Sequence, residues 1–260
     1  MVYFVNYCMD DSIKENVRKR YSQIAMSGNS DCCCMPGECK TGDSPIDASK
    51  IIGYNEDELN AIPQSAILGV GCGAPLKHAN LQNGETVVDL GSGAGIDAFL
   101  SANHVSKTGK VIGVDMTDEM LDKAKKNAKE GNYSNVEFRK ADIEKNIPID
   151  SESVDAVISN CVINLTTDKT SVFKEVHRIL RKNGRMVISD LVTDREIKAE
   201  NINPEQWCAC IDGALTKENY IQCITKAGFE DIKVLEERTY MESDKTDGRT
   251  ITSLVVKATK

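Results

Sequence analysis

One stretch constrains the fold of this 260-residue chain more than any other. Val87-Val88-Asp89-Leu90-Gly91-Ser92-Gly93-Ala94-Gly95 reads as a buried strand that runs into a glycine turn and on into a helix. Glycines are needed where the backbone must turn sharply and let a ligand approach without Cβ atoms in the way. Their alternate spacing differs from the G-x-G-x-x-G of pyrophosphate binders, and by itself such a loop is a weak signal. Context strengthens it. Asp115, twenty residues beyond Gly95, ends the next strand, where a carboxylate can take both hydroxyls of a ribose.

Around this loop, apolar strands alternate with helical patterns, which predicts a mostly parallel sheet wrapped by helices. The expected strands are Thr86–Leu90, Lys110–Asp115, Val136–Lys140, Val154–Ser159 and Arg185–Asp190. Helices are expected over Ile96–Val105, over Thr117–Gly131 with Thr117 as its cap, and over Lys169–Lys182. The last carries Val172, Phe173, Val176, Ile179 and Leu180 as one apolar stripe and is stopped by Asn183-Gly184. An irregular stretch, Leu191–Asp212, precedes a helix near Lys217–Ala227. Two final strands, Asp231–Tyr240 and Ile251–Ala258, form an antiparallel hairpin. Residues 1–46 differ: a short helix, then an aperiodic Cys-rich segment, read as an appendage or lid on a main domain of residues 47–260.

Composition excludes several functions. A formal charge of −8, with no cluster of Lys and Arg, argues against a nucleic-acid partner. The first twenty residues are charged and hold no apolar signal core, and no run is long enough to cross a bilayer, so a cytoplasmic protein without a membrane partner is expected. In a reducing compartment the ten cysteines are buried, metal-binding or redox-active rather than disulfide staples. For Cys8 and Cys223 a plain core role is expected. His78, His104 and His177 sit in no catalytic motif.

Over roughly Asp47 to Lys260 the chain resembles class I S-adenosylmethionine methyltransferases, with their Rossmann-like sheet and late antiparallel hairpin. The resemblance implies S-adenosylmethionine as co-substrate and no permanent metal. It puts the methionine portion on Asp89 and the run Gly91, Ser92, Gly93, Ala94 and Gly95. The ribose falls on Asp115, adenine on Met116 and on Asp142 with Ile143, and Asn160 joins the cofactor set. A nucleotide or dinucleotide site on the same fold is the alternative.

The acceptor in such enzymes lies near the end of the fourth strand, here Ser159-Asn160-Cys161-Val162-Ile163-Asn164-Leu165. Cys72 in Gly71-Cys72-Gly73, and Cys208 and Cys210 in Trp207-Cys208-Ala209-Cys210, sit in loops able to reach the same place. Converging thiols suit a soft, thiophilic acceptor. These segments, with Tyr54-Asn55-Glu56-Asp57-Glu58-Leu59, Gly113-Val114-Asp115-Met116-Thr117 and Cys210-Ile211-Asp212-Gly213-Ala214, resemble arsenite methyltransferases. By that resemblance Cys72, Cys161 and Cys210 carry arsenic(III) in a detoxifying methylation, Cys210 from an arsenic-binding loop at about 191–216. Cys208 stays open as the third ligand. An N-terminal cysteine would act in redox with Cys72. Cys33 is the assigned residue, with Cys32, Cys34 and Cys39 equally placed, and thioredoxin or a small thiol would be the reductant. A small metal site in that cluster, a small organic acceptor, and a sequestration protein on an inactive scaffold are the competing readings.

Overall fold

The structure is a computed structural model, and it describes residues 2–27, 44–242 and 246–260. Four helices precede the sheet: α1 (Val2–Ser27), α2 (Pro45–Ile52), α3 (Glu56–Asn60) and α4 (Leu76–Ala79). Then follow β1 (Thr86–Leu90), α5 (Ile96–Val105), β2 (Lys110–Asp115), α6 (Asp118–Glu130), β3 (Val136–Lys140) and β4 (Val154–Asn160). The chain finishes with α7 (Lys169–Ile179), β5 (Leu180–Thr193), α8 (Pro204–Cys208), α9 (Lys217–Lys226), β6 (Glu230–Glu242) and β7 (Thr250–Thr259).

The seven strands form one sheet in the order β3-β2-β1-β4-β5-β7-β6. The first five strands are mutually parallel, β7 runs antiparallel to β5, and β6 runs antiparallel to β7. Parallel neighbours cannot be joined by a tight turn, so crossover helices cover both faces and the inner strands become apolar throughout. One face packs Val87, Ala156 and Ile158 against Phe99 and Leu121. The other packs Val88, Val157 and Ile188 against Phe173, Val176, Tyr220 and Ile224. β1 has β2 on one side and β4 on the other, so the connections leave in opposite directions and a crevice opens at the carboxyl ends of β1 and β4. Both the glycine loop and Cys161 stand at that end.

The expected sheet and its hairpin are therefore present, with three local corrections. The helix expected to reach Lys182 ends at Ile179, and Leu180 pairs with Val154 as the first residue of β5. Leu180 is fully buried in the strand, and an apolar residue suits the core face of a helix equally well, so its character could not tell the two apart. The stretch after Asp190 is not irregular throughout: β5 continues to Thr193 beside Ile251, and α8 follows, capped by the Asn203 side chain. The N-terminal helix is 26 residues long rather than short, and it packs against α6 and α8. Thr117 does occupy the cap position of α6, but its side chain makes no capping hydrogen bond to the helix; Asp115 Oδ1 accepts the Thr117 N–H, at 2.8 Å. Among the described residues no helix is long and apolar enough to cross a membrane.

Candidate active site

Two glycines in different loops let the backbone close around the site. Gly91 has φ +68, and a Cβ there would overlap Val162 in the loop after β4. Gly71 has φ +128, and a Cβ there would lie 2.9 Å from Asn160 Nδ2. Both glycines are thus required by close approach as well as by backbone angle.

A cavity occupies the crevice at the carboxyl ends of β1 and β4, where sheets of this topology bind small molecules. Its wall includes Gly91, Gly93, Asp115, Met116, Asp142, Ile143, Asn160, Cys161 and Cys210. The expected residues Asp89, Ser92, Gly95 and Cys72 stand behind that wall. Asp89 and Ser92 are buried, and Asp89 Oδ2 and Ser92 Oγ have no hydrogen-bond partner among the described residues. Burial, reinforced by Asp97 and Asp115, holds the Asp89 carboxyl well above the ordinary carboxylate range. A buried carboxylate oxygen without a donor is costly unless a cation or donor meets it. Asp115 accepts the Gly93 N–H at 3.0 Å, which ties the end of β2 to the glycine loop.

Helix α1 forms one side of the cavity through Lys14, Val17 and Tyr21. Lys14 Nζ lies 3.0 Å from Asp142 Oδ2 and also pairs with Glu144. Asp142, expected on adenine from the sequence, is therefore already engaged by a cation from the N-terminal helix. Lys14 is held above its ordinary pKa: burial lowers it, and hydrogen bonds and attraction from Glu144 and Asp142 more than offset that.

Three sulfurs from distant parts of the chain converge beside this cavity. Cys72 Sγ and Cys161 Sγ lie within 4.8 Å of each other and of a carboxylate oxygen of Asp190. Cys210 Sγ is 3.0 Å from the Cys161 carbonyl oxygen and outside that tighter group. Neighbouring Cys210 and Cys72 thiols, then burial, push the Cys161 thiol well above its ordinary pKa. Cys210 feels the Cys161 hydrogen bond in the opposite sense, but burial with Asp190 and Cys72 leaves it raised. Cys161 and Cys210 both adopt left-handed backbone, with φ +57 and +64. Such conformations cost energy in residues with a Cβ and collect at functional sites. Cys208, the other candidate, faces away, into a surface groove with Lys19, Arg20 and Glu205, and burial pushes its thiol up to about 11. Cys223 packs against the core, as expected. Cys32, Cys33, Cys34 and Cys39 lie outside the described residues, as does the side chain of Cys8. His78 and His104 face Glu236 and Glu58, and His177 meets the Phe229 ring edge-on, all away from the cavity.

Asn160 stands on the cavity wall with the expected cofactor set, but its clamping role there, like Tyr54, Asp97 and Asp190, escapes sequence reasoning. Asn160 is a clamp: its Oδ1 accepts the Cys72 N–H at 3.1 Å, and its Nδ2 donates to the Gly73 carbonyl and to Tyr54 Oη. Tyr54 in turn donates to Asp97 at 2.8 Å, and burial raises Asp97 to about 6. Asp190, buried, accepts from the N–H groups of Leu191 and Asn164 and from Tyr220 Oη, and burial raises it to about 7 against the attraction of Lys169. Tyr54 stands in a quoted motif, but nothing in the sequence paired it with Asp97. Asp190 ends an expected strand without any motif around it.

The methyltransferase-domain family matches residues 81–228, more than half of the chain. An arsenite methyltransferase of Halobacterium salinarum is 39% identical over 96% of this chain and 66% of that protein. A human arsenite methyltransferase is 32% identical over 85% of this chain and 59% of that protein. The chain thus spans less than two thirds of the length of these relatives. Among solved structures, an arsenic(III) S-adenosylmethionine methyltransferase from Chlamydomonas reinhardtii superposes with a TM-score of 0.65 at 29% identity, covering 85% of this chain and 75% of that one. The YcgJ protein of Bacillus subtilis, at 16% identity and a TM-score of 0.58, shares the fold. Sheet order, glycine loop and family match agree: the chain belongs to the methyltransferase-domain family.

Proposed function

We propose that this chain transfers the methyl group of S-adenosylmethionine to arsenic(III) held by Cys72, Cys161 and Cys210. The convergence of these three sulfurs beside the cavity that the glycine loop lines carries the proposal. Similarity to arsenite methyltransferases of archaeal and animal origin supports it.

The donors present fit the cofactor. Gly91 and Gly93 line the space for an amino-acid moiety with the Asp89 carboxyl buried behind them, Asp115 offers its carboxylate to a ribose, and Met116 and Ile143 offer apolar surface to a base. When bound, S-adenosylmethionine supplies an electrophilic methyl carbon on a sulfonium. The protein's part is alignment and exclusion of water. Leu191, Trp207, Ile211 and Tyr240 surround the sulfurs with apolar surface. Asn160 fixes the Cys72 loop against the end of β4, while the Cys210 thiol has only to turn from the Cys161 carbonyl.

Arsenous acid exchanges its three hydroxyls for three thiols, and the thiol protons leave with them as water. Held in a pyramid of sulfurs, arsenic keeps a lone pair that attacks the methyl carbon in line, so no base is needed for the transfer. Arsenic loses two electrons in that step. A thiol pair restores them by forming a disulfide, which thioredoxin or a small thiol of a reducing cytoplasm then reopens. In this reading residues 47–260 are the catalytic domain, the loop at 191–216 brings the third sulfur, and a cysteine of residues 1–46, Cys33 or a neighbour, joins Cys72 in redox.

Pure protein incubated with arsenite, S-adenosylmethionine and a thiol reductant should yield methylated arsenic by chromatography with mass detection. Near-complete loss is expected for Cys161→Ser. Undiminished turnover of that variant, with an organic acceptor methylated instead, would overturn the proposal.

A further inference from the structure

Asp190 has no part in the methyl transfer derived above, yet it stands among the sulfurs. We infer that Cys72, Cys161 and Asp190 form a binding site for a thiophilic divalent cation with a filled d shell, zinc or cadmium, which blocks the arsenic site while bound.

The donor set argues for this class. Two thiols and a carboxylate oxygen lie mutually within 4.8 Å, and all three side chains are at least half buried. Zinc takes sulfur at about 2.3 Å and carboxylate oxygen at about 2.0–2.2 Å in a tetrahedron, so small side-chain rotations close the set. Arsenic(III) makes a different demand. Its fourth direction holds a lone pair, and three sulfurs saturate it. A tetrahedral cation instead accepts an oxygen where Asp190 stands, and leaves its fourth position to Cys210 or water.

Asp190 is also placed as a ligand needs to be. It belongs to the rigid strand β5, and two backbone N–H groups and the Tyr220 hydroxyl orient its carboxylate. Such supporting contacts fix a ligand's geometry. Charge is compatible as well. Two thiolates, a carboxylate and a divalent cation sum to one negative charge, and the buried Lys169, whose attraction Asp190 feels, supplies a positive one. Binding displaces the thiol protons to solvent. The cation site stands on geometry alone; only the claim that it blocks arsenic rests on the proposed function.

The test uses the full chain with Cys32, Cys33, Cys34 and Cys39 changed to serine, so that the thiols of this cysteine-rich segment do not compete. Cadmium chloride is titrated and thiolate-to-cadmium charge-transfer absorbance is read; arsenite binding is followed separately by Trp207 fluorescence. One cadmium per chain is expected. Asp190→Asn should weaken cadmium by about tenfold or more, with arsenite binding within about twofold. Unchanged cadmium affinity in Asp190→Asn, or equal loss of cadmium and arsenite, would overturn the inference. Because that variant also disturbs three hydrogen bonds, the unsubstituted Asp190 protein gives a second reading. Cadmium-113 resonance should report mixed sulfur and oxygen donors, and cadmium should displace arsenite one for one. An all-sulfur signature, or simultaneous binding of both, would contradict it. Failure of arsenite to bind at all would strike the proposed function and leave the cadmium result standing.

Discussion

Three residues carry most of the local argument, and each can be changed alone. Tyr54 bridges Asp97 and Asn160, so Tyr54→Phe removes one donor from a buried carboxylate and slackens the clamp on Cys72. An unsatisfied buried group costs about 1–3 kcal/mol. Urea unfolding should show a loss of that size, and arsenite affinity should fall with it. Asp97 adds a pH dependence with a definite sign. Its folded-state pKa is raised from 3.8 to about 6, so the folded protein binds more protons than the unfolded chain in that interval. The contribution of Asp97 to stability therefore declines as pH rises from about 4 to 6. The difference in unfolding free energy between wild type and Asp97→Asn should change across that window in this direction; a constant difference would contradict the assignment. Arg249 and Asp212 form a buried ion pair behind the Cys210 loop, and Asp212 also accepts the Asn203 N–H. Arg249→Met strands a buried carboxylate, which costs about 3–5 kcal/mol. The melting temperature should drop accordingly.

At the scale of elements, α1 is the part of the site the sequence hid. Ile13, Val17, Tyr21 and Ile24 follow helical spacing and turn one face inward, with Val17 and Ile24 buried. That stripe was present in the sequence, but the helix has no acidic first turn or basic last turn to mark its ends. Its partners, Asp142, Glu144 and Glu119, are also far away in the chain. Val17→Asp should release α1 from the cavity, weakening S-adenosylmethionine binding several-fold by calorimetry and speeding proteolysis within residues 2–27. The glycine loop and β1 were legible because strand, turn and helix are adjacent in sequence, so local chemistry decides them. The end of α7 was not, because pairing of Leu180 with Val154, a distant partner, decides between helix and strand there. The same reason separates the sulfurs from Asp190. Cysteines in unusual loops can be read singly, whereas the carboxylate gains meaning only when β5 is laid beside β4.

For the whole molecule, the decisive fact is that Cys72, Cys161 and Cys210 come together only in the folded sheet. Arsenite should therefore stabilise the native state: at a concentration 100 times the dissociation constant the gain is about 2.7 kcal/mol. The most direct measurement is X-ray absorption at the arsenic edge, on protein lacking Cys32, Cys33, Cys34 and Cys39. Three sulfurs around arsenic are expected, falling to two in each of Cys72→Ser, Cys161→Ser and Cys210→Ser and staying at three in Cys208→Ser. Three sulfurs retained in Cys210→Ser, with two in Cys208→Ser, would contradict the ligand set read from the structure.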